Sequence, residues 1–194
     1  MRMRRLLMCL PAFAIAVPAF SFIATPQPGN RIGVLRIAGH FDSRTERSVA
    51  GTIQSGLVSE LKGLKFDAFD AGVTFDELTR KNPGDTDFYV EVISGGADGH
   101  QAGNVGVGIS HVAVQIGVVV AKVAAQVRVY DGHTLNELAT FDLQKDNTVV
   151  VPTGIGFAGY PIFAAIALPI FQYGQYKMAA HQVAYEAALR IAGQ

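Results

Sequence analysis

Lys122 to Lys145, KVAAQVRVYDGHTLNELATFDLQK, is the stretch whose reading decides the fold. Val127 and Val129 alternate with polar neighbours, Asp131-Gly132-His133-Thr134 carries turn chemistry, and Ala139, Phe141 and Leu143 resume the alternation. Period two on both sides of a turn predicts two half-buried strands joined by a tight connection. Two segments without Asp, Glu, Lys or Arg flank this hairpin, residues 101–121 before it and 147–176 after it. A charged hairpin between charge-free segments predicts a sheet that carries two apolar excursions.

Upstream, Ile32 to Ala38 has strand composition. Ser43 with Glu46 forms a capping box that opens a helix, and Val49, Ile53, Leu57, Leu61 and Leu64 then recur on one face. Gly51 and Gly56 weaken that helix by about 1 kcal/mol each relative to Ala, unless another backbone packs close. Phe66 to Ala71 is a short strand, and Thr74 with Glu77 caps a brief helix that ends by Asn82-Pro83-Gly84. Phe88 to Ile93 is a third strand, which Ser94-Gly95-Gly96-Ala97-Asp98-Gly99 is expected to interrupt. Branched residues recur at Val105, Val107 and Ile109, then at Val112, Val114, Ile116, Val118 and Val120. Parity slips near Ser110-His111 and near Lys122, which predicts turns or bulges there. Downstream, Thr148 to Val151 is briefly strand-like before Pro152, and Met178 to Ala192 is expected to be the last helix. The order predicts an α+β fold, a mostly antiparallel sheet with a long N-terminal amphipathic helix and a C-terminal helix packed on one face.

The leader has its own pattern. Arg2, Arg4 and Arg5 precede an apolar run from Leu6 to Val17, and Val17-Pro18-Ala19 offers a cleavage site, so residues 1–19 read as a secretory signal peptide. Residues 20–30 form a Pro-rich lead-in, and 31–194 a single domain able to bury a core. Removing the leader takes away three of the sixteen basic residues and none of the sixteen acids, leaving a mildly acidic chain with no basic run. That composition argues against nucleic-acid binding. Cys9, the one cysteine, lies in the leader, so the remainder has no thiolate nucleophile or thiolate metal ligand. The expected location is the periplasm, in association with the outer membrane.

Four features together carry a resemblance: the Ser43-capped helix after the first strand; Thr86-Asp87-Phe88-Tyr89-Val90-Glu91-Val92; the glycine-rich interruption; and Val127-Arg128-Val129-Tyr130-Asp131 followed by Thr134 and Glu137-Leu138. They resemble the α+β domain of the curli-secretion channel subunit, the N-terminal domain of TolB and related periplasmic lipoproteins. Thr134-Leu135-Asn136-Glu137 stands where that family has Thr-Gly-Glu, one residue longer. The resemblance covers Ile32 to about Gln144 and the last helix. It implies an envelope protein, and in the curli-channel branch two membrane-crossing excursions flank this same hairpin.

Candidate chemistry is sparse. Gly154-Ile-Gly156-Phe-Ala-Gly159 matches a dinucleotide fingerprint, but Pro152 and Pro161 crowd it and too little chain remains for further βαβ units. His40, His100, His111, His133 and His181 have no ligand spacing, and His40 with Asp42 reads as loop. Ser94 and Ser110 lack a nucleophile elbow, and Asp67, Asp70, Asp85 and Asp87 sit beside turns. No catalytic, cofactor-binding or metal-binding residue is expected, and no enzyme activity. The functional lead is the apolar run from Gly154 to Tyr176, with Ile155, Phe157, Tyr160, Ile162, Phe163, Ile166, Leu168, Ile170, Phe171 and Tyr173 as contact residues. Burial at about 25 cal/mol per Å² favours covering them. Three covers are open: the protein's own core, an envelope partner or second protomer, and a bilayer. A soluble domain holding a small apolar ligand or lipid between the sheet and the last helix is the alternative.

Overall fold

The computed structural model describes residues 25–39, 41, 43–81, 84–109, 112–157, 160–161 and 164–193, and for 101–115 and 151–171 the backbone alone. The leader, His40, Asp42, Asn82, Pro83, Ser110, His111, Ile162 and Phe163 lie outside the described residues. In chain order the elements are β1 (Arg31–Val34), α1 (Arg44–Gly63), β2 (Asp67–Asp70), α2 (Phe75–Arg80), β3 (Phe88–Ile109), β4 (Val112–Asp131), β5 (Glu137–Phe157), β6 (Tyr160–Pro161) and α3 (Ala164–Ile191). They form one sheet in the order β2-β1-β3-β4-β5-β6, with β1 parallel to β2 and β3 and the remaining pairs antiparallel.

Both capping boxes are formed. Ser43 Oγ accepts from Glu46 N at 3.1 Å, Glu46 Oε2 accepts from Ser43 N at 3.0 Å, and Thr74 with Glu77 repeats the exchange. The carboxylate of Glu77 is held below its usual pKa, first by the backbone N–H bond at Thr74. Asp131 Oδ1 ties the β4–β5 turn by accepting from His133 N, Thr134 N and Thr134 Oγ1. Asp87 accepts from Arg31 N at 2.7 Å, and Asp70 from Gly72 N at 2.9 Å, so these carboxylates serve the backbone.

α1 and α3 lie together on one face of the sheet base. Ile53, Leu57 and Leu61 of α1, Val90 and Val92 of β3, Val123 and Val127 of β4 and Val183 of α3 are all fully buried there. The helices approach through small residues: Ala180, Ala184, Ala187 and Ala188 line α3, and a Cβ at Gly56 would lie 3.0 Å from the Cβ of Ala184. On the other face, α2 and its flanks cover the base alone, with Leu35, Leu78, Tyr89 and Tyr130 buried and Phe75 stacked on Tyr130 at 4.3 Å.

Three expectations need correction. The glycines after Ser94 do not end β3; they form a bulge between Ser94 and Ala97, with Gly96 at φ 102°, and the strand resumes to Ile109. Thr148 to Val151 belongs to β5, which passes Pro152 at another register shift. The last helix begins at Ala164 rather than Met178, with Pro169 inside it. As a result β3, β4 and β5 run 22, 20 and 21 residues, far beyond the usual five or six.

The two α1 glycines give opposite expectations in urea unfolding. Nothing lies within 4 Å of a Cβ at Gly51, so Gly51→Ala raises stability by about 1 kcal/mol through helix propensity. Gly56→Val overpacks the α1–α3 seam and lowers it by about 1–3 kcal/mol.

Candidate functional site

At about 3.3 Å per residue, twenty-residue strands extend roughly 65 Å, whereas a twenty-residue helix such as α1 covers about 30 Å. The three long strands therefore outrun α1 and form a blade beyond it. The last charged residue of each strand before that blade lies in a single cross-strand row: Asp98 pairs with Lys122, and Lys122 with Asp146. Beyond the row lie Gly99–Ile109, Val112–Ala121 and Asn147–Phe157, ten or eleven residues each, without Asp, Glu, Lys or Arg.

Past that row the open face gains branched residues, while the helix side stays apolar through Ala121 and Val119, both fully buried. Towards the base, β4 puts Val129, Val127, Ala125 and Val123 into the core under the helices, while Arg128, Gln126 and Lys122 occupy the opposite, open face. β4 keeps one alternation throughout, so the expected slip near Lys122 is not a kink in this strand. Past Lys122 apolar residues occupy both faces of the strand instead. On the open face Val120, Val118 and Ile116 follow Lys122, with Ile116 38% exposed, and Val150 of β5 is 63% exposed. Register places Val105, Val107 and Ile109 opposite Ile116, Val114 and Val112, and Val112 and Val114 opposite Phe157 and Ile155. The helix-side rows pair Gln101 with Val119 and Val119 with Val149 next to the charge row, then Asn104 with Gly117, Gly106 with Gln115, Gly108 with Ala113, and Gln115 with Gly154. Towards the tip the helix side is thus smaller and more polar than at the base.

α3 meets the charge row with polar and aromatic side chains. The phenol of Tyr176 packs over Gly99, where a Cβ would collide with it. Burial, then the Asp98 and Glu46 carboxylates, raises its pKa. Asn147 Nδ2 donates to Gln175 Oε1 at 2.6 Å. Tyr173, 40% exposed, shares a 2.6 Å hydrogen bond with Ser48 Oγ and lies beneath Lys177 Nζ at 5.0 Å; the Ser48 bond is the leading cause of its lowered pKa.

Of the sequence-predicted contact residues, Ile155 and Phe157 lie at the end of β5 and Tyr160 pairs with Phe157 in β6. Ile166, Leu168, Ile170 and Phe171 fall in α3. Tyr173 is the one whose side chain is described, and Ile162 and Phe163 lie outside the described residues. The residues that sequence reasoning missed are the Asp98–Lys122–Asp146 row and exposed Ile116 and Val150. Folding the chain about Ser110-His111 brings Asp98 near Lys122 in sequence alone, which was the available signal. Gly154 and Gly156 lie inside β5 opposite Gln115 and Ala113, not at a strand-to-helix turn, so the dinucleotide fingerprint lacks its context. Among the described residues no group of three His, Cys, Asp or Glu is placed to hold a metal. No described helix is long and apolar enough to cross a membrane, which does not bear on crossing by strands.

No protein-family description and no curated protein sequence matches the chain. Solved structures are similar at low identity. The PelC dodecamer from Paraburkholderia phytofirmans is similar at 9% identity and TM-score 0.46, over 87% of this chain and 92% of that one. Uncharacterized lipoprotein B from Nitrosomonas europaea is similar at 14% and 0.43, over 83% and 84%. A minor lipoprotein from Acinetobacter baumannii is similar at 7% and 0.39, over 84% and 92%. Likenesses of this size transfer no site residue and no activity.

On the α2 side of the base, Tyr130 Oη donates to buried Glu91 Oε2 at 2.8 Å. Burial, then this bond, pushes the tyrosine up to about 12. Because the folded value exceeds the unfolded one, the contribution is complete below about pH 10 and is lost as pH rises towards 12. In alkaline unfolding titrations Tyr130→Phe should flatten this part of the stability profile and leave the neutral-to-acid part unchanged in shape.

Proposed function

We propose that the chain is a non-catalytic envelope protein that inserts the charge-free end of its blade into a bilayer. The observation that carries this reading is the single row where charge stops on all three strands, with ten or eleven charge-free residues beyond it on each. A tilted strand needs about 9–11 residues to cross the hydrocarbon core. Branched residues on the open side, where water would otherwise lie, support the same reading, with Asn104, Gly106, Gly108 and Gln115 on the other side towards the tip. Membrane strands alternate in this way between a lipid side and a more polar interior. Tyr173 and Tyr176 stand near the row, at the level where aromatic rings favour a membrane surface. The likeness to curli-channel subunits drawn from the strand and turn motifs points the same way.

The alternative, a small apolar ligand between sheet and last helix, has less support. Val183, Ala184, Ala187 and Val127 are fully buried against one another's elements, and the groove near Leu138, Phe141 and Ile191 measures ≈ 100 Å³. The ≈ 340 Å³ cleft beside Leu189 is lined by the Lys145–Glu186 ion pair, which suits an apolar ligand poorly. Ligand sites of drug-sized molecules occupy about 300–1,000 Å³.

Flotation on phosphatidylcholine vesicles tests the proposal. Val150 is largely exposed, so Val150→Arg leaves the unbound fold intact. An arginine on a lipid-facing strand costs about 2–4 kcal/mol near the midplane, so vesicle binding should weaken roughly 30-fold or more. Gln144→Arg, on the same strand and face but on the charged side of the row, should bind as wild type. Equal binding by both variants would refute insertion of the blade.

A further inference from the structure

Beyond insertion itself, and resting on it, we infer that Arg44, Arg47 and Lys177 hold the phosphates of anionic lipid headgroups, on the helix side of the charge row. The topology brings all three to the level of that row. β1 runs parallel to β3 towards the tip, and Ala38 still bridges Ile93. The chain then turns back, so the first turn of α1 is the part of that helix nearest the tip. α3 runs in the same direction as α1, since Ser48 meets Tyr173 and Gly56 meets Ala184. Tyr176 over Gly99, next to Asp98, sets the level of this end of α3 at the row.

Three contacts gather cations around one phenol. Ser48 Oγ and Tyr173 Oη are 2.6 Å apart, and Lys177 Nζ stands 5.0 Å from the centre of the Tyr173 ring. Arg44 lies one helical turn before Ser48, on the same side of α1. After the Ser48 bond, Lys177 and Arg44 lower the pKa of the phenol further, as nearby cations do. Arg44, Arg47, Tyr173 and Lys177 are all exposed. Among the described residues none of the three cations pairs with a carboxylate.

Charge is sorted between the two faces of the sheet. Lys122 is on the open face, and register puts Asp98 and Asp146 there with it. On the helix side, Glu46 is the one acid in the first two turns of α1, and residues 147–176 hold none. Its Oε2 already accepts from Ser43 N at 3.0 Å. Three cations thus stand against one engaged carboxylate, in a chain whose formal net charge is zero. Guanidinium and ammonium groups beside a hydroxyl match the oxygens of a phosphodiester through charge-assisted hydrogen bonds. Basic residues gain most at a surface where anionic headgroups concentrate, and an inserted blade puts these residues there. Phosphatidylcholine offers the same phosphate with its own cation beside it, so the site shows itself as a preference for anionic bilayers.

Flotation of the full chain on phosphatidylcholine vesicles, and on vesicles of phosphatidylcholine mixed with phosphatidylglycerol, tests this at equal ionic strength. A basic residue at an anionic surface is worth about fivefold, so Arg44→Gln with Lys177→Gln should weaken binding to the mixed vesicles about 25-fold. Binding to phosphatidylcholine alone should not change. Lys62→Gln with Arg80→Gln removes the same charge from exposed last turns of α1 and α2, well beyond a screening length, and should bind both vesicles as wild type. An undiminished preference in the first variant, or an equal loss in the second, would overturn the headgroup site and leave insertion standing. So would loss of the preference when phosphate replaces chloride at equal ionic strength, which assigns the cluster to the free ion. Protein of native circular dichroism that floats with neither vesicle would overturn insertion and the site together.

Discussion

The structure depends on one constraint: a sheet whose strands outlast its helices must find another cover for its apolar face. At the base that cover is internal. α1 and α3 close over Val90, Val92, Val123 and Val127, and the alanine stripe of α3 lets them sit near each other at Gly56. Past Asp98, Lys122 and Asp146 the helix side keeps Ala121 and Val119 buried, but the side the two helices do not cover is apolar as well, with Ile116 and Val150 exposed. At about 25 cal/mol per Å², every branched residue left there disfavours a water-exposed state. A bilayer removes that penalty without further protein mass, and it favours what the blade has, namely no Asp, Glu, Lys or Arg over one membrane thickness.

In the proposed membrane-bound state the charge row acts as a depth marker. Asp98 and Asp146 flank Lys122 across the strands, so opposite charges are neighbours. Such a row favours water and resists being drawn deeper. α3 reinforces the boundary. Tyr176 is seated over Gly99, Gln175 is bonded to Asn147, and Tyr173 is bonded to Ser48 of α1, so the base and the start of the blade are held at a fixed offset. Below the boundary, Lys145 pairs with Glu186, which Arg190 also contacts at 2.7 Å. The side-chain ion pair from β5 to α3 thus stands on the charged side of the row.

Much of the base was legible in the residues. The capping boxes at Ser43 and Thr74, the helix through Ile53 and Leu57, and the hairpin about Asp131 all use local rules, and local rules suffice where a cap or turn satisfies its own backbone. The blade was not legible in the same way. Ser94-Gly95-Gly96 reads as a break because glycine weakens strands, yet β4 supplies a continuous partner and the glycines resolve into a bulge. The change of parity near Lys122 reads as a bend because an apolar residue is assumed to face the core. The strand is regular and its surroundings change. The sequence points to Gly154 to Tyr176 alone; strand register adds Val112 to Val120 and Val150 to the same charge-free blade.

The central claim is that the open face beyond the charge row lies in lipid. The chain has no tryptophan, so one introduced residue reports without background. The most direct measurement is depth-dependent quenching of Val118→Trp in vesicles that carry doxyl groups on their acyl chains, with Gln126→Trp as the reference below the row. The account predicts strong quenching and a blue-shifted emission for residue 118 and neither for residue 126. Emission from residue 118 that stays red-shifted and unquenched, in protein shown to be vesicle-bound, would contradict it.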